Sequence, residues 1–287
     1  MSTVDETFRR VRQRLQQVLG PDEGDAAARI IFEDTAGYDR KYLFMNGDRE
    51  MLPFTAEKID RVADRVAGGE PVQYAVGKAR FMGNDYRVTP AVLIPRPETA
   101  GLVDMICKEY DGRSDLRVLD IGTGSGCIAI SLARALPFSS VTAFDISAEA
   151  LAVARDNARS LGVSVDFRQT DILKAEPGGD SRSFDIVVSN PPYICRREAA
   201  DMDARVLDHE PAQALFVPDD DPLLFYTAIG RYALGALKLG GTLWFEINAL
   251  YHAEVVAMLL RQGYSDAEAY RDYRGLYRYV RAVCSAD

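Results

Sequence analysis

The chain has 287 residues, 47% hydrophobic and 27% charged, which is globular composition and enough length for one large domain or two smaller ones. No stretch approaches the roughly 18 consecutive apolar residues of a membrane span, and the charged segment Met1–Arg14 carries no apolar run with a cleavage site, so a soluble cytoplasmic protein is expected. The formal net charge is −9 with the basic residues dispersed, which turns the expectation away from a phosphate-gripping protein and towards a small-molecule or protein substrate.

The first 70 residues read as helical. Phe8, Val11, Leu15 and Val18 recur at spacings of three and four within Val4–Leu19, and Gly20-Pro21 stops that helix. Asp25 opens an Ala-rich run to Tyr38, with Ile30, Ile31 and Phe32 as its apolar side. Thr55 is the expected N-cap of a third helix that ends at Gly68-Gly69. Residues 1–70 are therefore expected to form a small helical bundle without catalytic groups. Within 71–97, Gln73–Lys78 and Asp85–Val88 read as two short strands joined around Met82-Gly83-Asn84. Leu93-Ile94-Pro95-Arg96-Pro97-Glu98 reads as an extended linker, because its two prolines fix the backbone.

Residues 98–287 are expected to be the catalytic domain. Strand patterns at Arg117–Ile121, Ser140–Phe144, Val165–Gln169, Phe184–Ser189 and Gly241–Ile247 are interleaved with helices at Gly126–Leu136, Ala148–Leu161, about Pro222–Leu239 and Tyr251–Gln262. Such alternation means right-handed crossovers and a parallel sheet with helices on both faces, an α/β Rossmann-like fold. Ala267–Tyr270 and Tyr277–Val283, with a short turn around Tyr273–Gly275 between them, predict an antiparallel hairpin at one end of the sheet. Tyr264, Tyr270, Tyr273, Tyr277 and Tyr279 are expected to pack that hairpin.

The run Asp120-Ile121-Gly122-Thr123-Gly124-Ser125-Gly126 follows the first strand of this domain and opens a helix. Glycines there let the backbone turn tightly and let a ligand approach the main chain. Taken alone, the run also fits a plain strand–helix turn. Asp145, about 20 residues on at the end of the next strand, is placed to take ribose hydroxyls. Asp171 follows the third strand, within reach of an adenine amino group, and Ile172 can pack on the ring, although an Asp there also suits a turn. No Lys follows Gly126, which excludes a P-loop, and Gly124 is not followed three residues later by the third glycine of an NAD fingerprint. Asp120 suits a cationic ligand better than a pyrophosphate. A sulfonium and an ammonium in one ligand point to S-adenosylmethionine, held by Asp120, Gly122, Thr123, Gly124, Ser125, Gly126, Asp145, Asp171, Ile172 and Asn190.

Asn190-Pro191-Pro192-Tyr193 comes directly after the strand Phe184–Ser189, at the end of the sheet where ligands of open α/β folds sit. A carboxamide nitrogen is a poor nucleophile because its lone pair is delocalised. Acceptors aimed at its two N–H groups hold it at the methyl and favour the charge that develops there. The Asn190 side-chain oxygen and the Pro191 carbonyl are the candidate acceptors, with Pro192 keeping the segment extended and Tyr193 offering a flat ring to a planar group. The bland reading, a Pro-rich turn with an Asn cap, is outweighed by the upstream glycine loop and Asp145.

The glycine loop, Asp145 and Asn190–Tyr193 resemble class I methyltransferases acting on amino nitrogens. Glu70-Pro71-Val72-Gln73-Tyr74-Ala75-Val76-Gly77, Phe81-Met82-Gly83, Leu93-Ile94-Pro95-Arg96-Pro97-Glu98-Thr99, Glu210-Pro211 with Ala214-Leu215, and Asp272-Tyr273-Arg274-Gly275 further resemble the release factor glutamine methyltransferases, the HemK/PrmC family. The resemblance spans roughly residues 70–283. It implies S-adenosylmethionine as methyl donor, S-adenosylhomocysteine as product and the glutamine of the Gly-Gly-Gln loop of peptide-chain release factors as acceptor. The N-terminal helices are expected to dock the protein substrate, and neither direct nucleic-acid binding nor membrane binding is expected.

Two alternatives share the reaction: a ribosomal-protein glutamine methyltransferase, disfavoured by Pro-Glu after the Pro-Arg pair, and an amino-methylase of a nucleic-acid base. A non-catalytic binding module would require an eroded loop or tetrapeptide. Three positions depart from the family pattern: Ala100-Gly101, Asp208-His209 and Asn248–His252. His209 and His252 are the only histidines, and Cys107, Cys127, Cys195 and Cys284 are scattered, so neither a metal site nor a disulfide framework is expected. Asp219-Asp220-Asp221 reads as a solvated loop ahead of a helix.

Overall fold

A computed structural model describes residues 2–178 and 181–285. By its internal contacts the chain divides into two compact units, one holding the described residues up to Lys78 together with Asp203–His209, the other holding Ala79–Met202 and the described residues from Glu210 on.

The first unit contains α1 (Val4–Leu19), α2 (Pro21–Ala36), α3 (Arg40–Asn46), α4 (Pro53–Ala67) and α5 (Val72–Val76). Thr3 caps α1 in a reciprocal pair with Glu6, satisfying two otherwise orphaned backbone donors. The apolar stripe Val4, Phe8, Val11 and Leu15 meets Ala28, Ile31 and Phe32 of α2 and Ile59, Ala63 and Val66 of α4 in one core. Three expectations are corrected here. Pro21 stops α1 but also opens α2 at its first position, because an N1 residue needs no N–H, so the second helix begins before Asp25. For the same reason α4 starts at Pro53, and Thr55 lies inside it instead of capping it. Gln73–Val76 is helical, not a strand: Val72–Val76 forms one short helix that buries the adjacent Tyr74 and Ala75 and is closed by left-handed Gly77. Asp203–His209 contains α9 (Ala204–His209), where Arg205 pairs with Glu23 and Asp203.

From Ala79 the second unit opens with the hairpin of β1 (Lys78–Phe81, its first residue belonging to the first unit) and β2 (Asn84–Arg87), a two-stranded sheet of its own. The hairpin is anchored: Tyr86 is fully buried with its hydroxyl 3.0 Å from Ser131 Oγ, and Arg87 N–H donates to Asn157 Oδ1 at 2.7 Å. The extended linker expected over Leu93–Glu98 ends earlier, because Pro97 is the first residue of α6 (Pro97–Glu109).

The central sheet comprises β3 (Arg117–Ile121), β4 (Ser140–Asp145), β5 (Asp166–Gln169), β6 (Phe184–Ser189), β9 (Leu237–Glu246), β10 (Tyr264–Arg271) and β11 (Tyr277–Cys284), in the order β10-β11-β9-β6-β3-β4-β5. The strands β3, β4, β5, β6 and β9 run parallel, and β11 is antiparallel to both its neighbours, giving the expected edge hairpin. Strand period two sorts the side chains into two cores. Val118, Ile186, Val188 and Trp244 join α6, α7 (Cys127–Ala135) and α8 (Ala148–Ser160) on one face. Leu119, Val187, Leu243 and Phe245 join α11 (Leu224–Ala236) and α12 (His252–Gln262) on the other. Between β6 and α11 lies an excursion with β7 (Ile194–Cys195), α9, α10 (Ala212–Leu215) and β8 (Phe216–Val217), where β7 and β8 pair in parallel. Among the described residues no helix is long and apolar enough to cross a membrane, and the four cysteines are free thiols.

Candidate active site

The carboxyl ends of β3, β4 and β6 converge on a cavity of about 280 Å³ within the second unit. Its wall includes Gly122, Thr123, Gly124 and Ser125 from the glycine loop, Asp145 from β4, Asp171 and Ile172 after β5, and Asn190, Pro191 and Pro192 after β6. Asp120, Gly126 and Tyr193 do not line it.

The loop is held by its own backbone. Gly122 and Thr123 N–H both donate to the Phe144 carbonyl at 2.9 Å, and Gly126 N–H donates to the Thr123 carbonyl at 2.8 Å. Gly122 and Gly124 have φ of 76° and 54°, and a Cβ built on either meets no atom within 4 Å. The loop thus presents bare main chain to open space, a surface that any side chain would obstruct. At Gly126 a Cβ would sit 2.9 Å from Ile130 Cδ1 and 3.2 Å from Ala154 Cβ, so this glycine serves helix packing.

Three carboxylates surround the loop in different electrostatic states. Asp120 is fully buried; its Oδ2 accepts from Thr123 Oγ1 at 2.7 Å and Ala129 N–H at 3.2 Å, while its Oδ1 has no partner. Burial pushes its carboxyl up to about 7. Asp120 is expected from the sequence to face a cationic ligand, but it lies off the cavity wall, and its contacts hold the loop. Asp145 accepts from Gly124 N–H at 2.8 Å and Ser147 N–H at 2.9 Å, tying the loop to the end of β4. Burial raises its carboxyl above the ordinary range, and those N–H bonds pull it back. Asp171 accepts from Leu173 N–H at 3.1 Å and pairs with Lys174 at 2.8 Å, which lowers its carboxyl. It caps a turn and lines the cavity at once.

Asn190 donates through Nδ2 to Thr99 Oγ1 at 3.2 Å, and Thr99 donates to Glu246 Oε2 at 2.7 Å. Tyr193 donates its hydroxyl to Glu246 Oε1 at 3.2 Å. The expectation that Tyr193 offers its ring to a ligand does not match this geometry. The ring packs into the core between the sheet and α11–α12, because its hydroxyl is the partner that a buried carboxylate needs. Glu246, 2% exposed, is pushed up to about 6 by burial, opposed by its bonds and by Arg278. Sequence reasoning missed Glu246 and did not single out Thr99. The available signal was a lone charge at the end of the apolar run Thr242–Phe245. Arg96, also on the cavity wall, is paired with buried Glu210, which accepts Ile94 N–H at 3.2 Å as well. Among the described residues no group of His, Cys, Asp and Glu has the arrangement of a metal site.

A family model described as the methyltransferase small domain matches residues 99–215, and one described as the PrmC N-terminal domain matches residues 6–77. A methyltransferase from Pyrococcus furiosus shares the fold, with TM-score 0.52 at 18% identity over 78% of this chain and 98% of that one. So does the Thermus thermophilus 16S rRNA N2 G1207 methyltransferase in complex with AdoMet and guanosine, with TM-score 0.51 at 19% identity over 72% of this chain and 49% of that one. The domain content of this chain, with the relatives named next, makes it a methyltransferase. A Bacteroides thetaiotaomicron protein named release factor glutamine methyltransferase is 45% identical over 273 residues, 95% of this chain and 97% of that one. Proteins of the same name from Flavobacterium psychrophilum and Bordetella pertussis are 38% and 41% identical, with 94% and 88% of this chain and 95% and 92% of theirs covered. The chain belongs to the release factor glutamine methyltransferase family.

Proposed function

We propose that the chain methylates the side-chain nitrogen of the glutamine in the Gly-Gly-Gln motif of peptide-chain release factors, in the cytoplasm, using S-adenosylmethionine and releasing S-adenosylhomocysteine. The observation that carries this reading is that Asn190, with its carboxamide nitrogen committed to Thr99, lines the same cavity as Gly122, Gly124 and Asp145. When bound, S-adenosylmethionine supplies a methyl group on a sulfonium, an electrophile that needs no activation.

In this reading Asp145 takes the ribose hydroxyls, and Asp120, buried off the cavity wall, holds the glycine loop through Thr123 and Ala129. Asp171 takes the adenine amine, Ile172 packs on the ring, and Gly122–Ser125 give close main-chain approach. Asn190 Oδ1 and the Pro191 carbonyl accept the two amide N–H groups of glutamine, and Pro192 keeps that carbonyl out of any ladder. These bonds orient the nitrogen and strengthen as positive charge develops on it, so they act on the transition state. A planar, uncharged acceptor with two N–H donors matches two acceptors.

The first unit docks the protein substrate. Phe44, Met45, Leu52 and Phe54 on or beside α3 and α4 are exposed, with Phe44 at 91% and Phe54 at 78%, an apolar surface with a use only if a partner covers it.

The test is Asn190→Ala with release factor as substrate. Turnover is expected to fall by roughly 10²–10³, the size of removing one preorganised hydrogen-bonding group from a charge-stabilising site. Affinity for S-adenosylmethionine, measured by calorimetry, should stay within a few fold. An unchanged kcat removes Asn190 from the chemistry.

A further inference from the structure

An Asn side chain is nearly symmetric in shape and opposite in hydrogen-bonding character at its two ends. If Asn190 turned its NH₂ into the cavity, it would present donors to a glutamine amide that also has donors to offer. Asn190 therefore needs something that distinguishes its two ends. Steric shape cannot do this, so a hydrogen-bond partner with a fixed role has to.

Thr99 is that partner. A threonine hydroxyl has one proton, and Thr99 spends it on Glu246 Oε2 at 2.7 Å, in a bond buried on both sides. Towards Asn190 it can then only accept, and it does so from Nδ2 at 3.2 Å. The other carboxylate oxygen is taken by the Tyr193 hydroxyl at 3.2 Å, so Glu246 is held as an acceptor from two sides. Arg278 lies near enough to favour its charged form. Among the described residues no protein group takes Asn190 Oδ1, which leaves that oxygen for the cavity.

We propose that Thr99 and Glu246 are positioning residues: a one-way chain of hydrogen bonds from Asn190 through Thr99 to Glu246 fixes the Asn190 carboxamide with its oxygen towards the substrate. The inference rests on Asn190 being the acceptor for the glutamine amide. It adds two residues from distant parts of the chain: Thr99, at the start of α6 and on the cavity wall beside Asn190, and Glu246, at the end of β9 and off that wall, which acts through Thr99. Glu246→Gln shows why the charge matters. With Tyr193 donating to the Gln oxygen, the Gln NH₂ donates to Thr99, Thr99 then donates to Asn190, and the preference of the carboxamide is reversed.

The experiment measures kcat, KM for release factor and the Kd of S-adenosylmethionine for Thr99→Val, Thr99→Ser and Glu246→Gln, each alone and in the Asn190→Ala background, with thermal melts to establish folding. Thr99→Val should lower kcat about 3- to 10-fold, the worth of one neutral hydrogen bond, with KM and Kd nearly unchanged. Thr99→Ser should recover most of the turnover, because the hydroxyl is restored. In the Asn190→Ala background Thr99→Val should cost nothing further, since no carboxamide remains to orient. Wild-type kcat in folded Thr99→Val overturns the proposal, and so does an equal loss in both backgrounds, which makes Thr99 independent of Asn190. If Thr99→Val does not fold, Glu246→Gln carries the same comparison with the same expected and overturning results. Wild-type turnover in Asn190→Ala is a separate failure that overturns the Asn190 reading itself.

Discussion

Replacing Asp145 with alanine separates the two duties that the geometry gives this side chain. Its oxygens hold Gly124 N–H at 2.8 Å and Ser147 N–H at 2.9 Å, and in the proposed complex they also take the ribose hydroxyls. A carboxylate has about four lone-pair sites, so both duties fit at once. Each hydrogen bond to a charged group is worth about 1.5–3 kcal/mol, so losing one ribose bond raises the Kd of S-adenosylmethionine roughly 10- to 150-fold. The loop clamp is lost too, but its N–H groups sit at a cavity wall that water reaches, so the fold should lose only about 1 kcal/mol. Asp145→Asn keeps the shape and one acceptor oxygen but turns NH₂ towards a backbone N–H, and it should fall between wild type and alanine. Titration calorimetry on the three proteins, with melts alongside, reads both effects. An affinity for S-adenosylmethionine within twofold of wild type in Asp145→Ala would refute the ribose assignment. A large fall in melting temperature with unchanged affinity would leave only the structural duty.

Asp120 predicts a pH dependence of stability. Its folded carboxyl, pushed to about 7, takes up protons that the unfolded chain releases near the ordinary value of 3.8, so its contribution to apo stability falls as pH rises between those values. Thermal stability should therefore fall as pH rises towards about 7, and Asp120→Asn should flatten that fall. The difference in pH slope between wild type and Asp120→Asn, read by calorimetry, isolates this group, and identical slopes would dismiss it. Phe44→Ser with Phe54→Ser should raise KM for release factor by about tenfold or more, with kcat and melting temperature nearly unchanged, since both side chains are exposed. Unchanged KM would remove this surface from substrate docking.

Much of the architecture was legible because burial writes itself into periodicity. Strands flanked by helices on both faces read as short apolar runs, and Phe184–Ser189 was placed to the residue. Two prolines misled, since Pro21 and Pro97 occupy first turns of helices, where a missing N–H costs nothing, and a sequence scan reads them as breaks. The excursion between β6 and α11 carries little periodicity. Its shape depends on distant partners, such as Glu198 accepting both Cys195 N–H and the Asn248 amide, and no local pattern encodes those. The cavity-lining residues Gly122, Gly124, Asp145 and Asn190–Pro192 were legible because glycines, a terminal Asp and Asn-Pro-Pro are unusual in those places. Glu246 was not, because a carboxylate inside a sheet declares its purpose only once Thr99 and Tyr193 are seen beside it.

The central claim is the acceptor. Incubating the purified protein with methyl-labelled S-adenosylmethionine, release factor, the same factor with its Gly-Gly-Gln glutamine replaced by alanine, and oligonucleotides, then mapping the label by mass spectrometry, tests it most directly. The account predicts one methyl group on the side chain of that glutamine and none on the replaced factor or on nucleic acid. Label confined to the oligonucleotides, or label on the factor that survives loss of the glutamine, would contradict it.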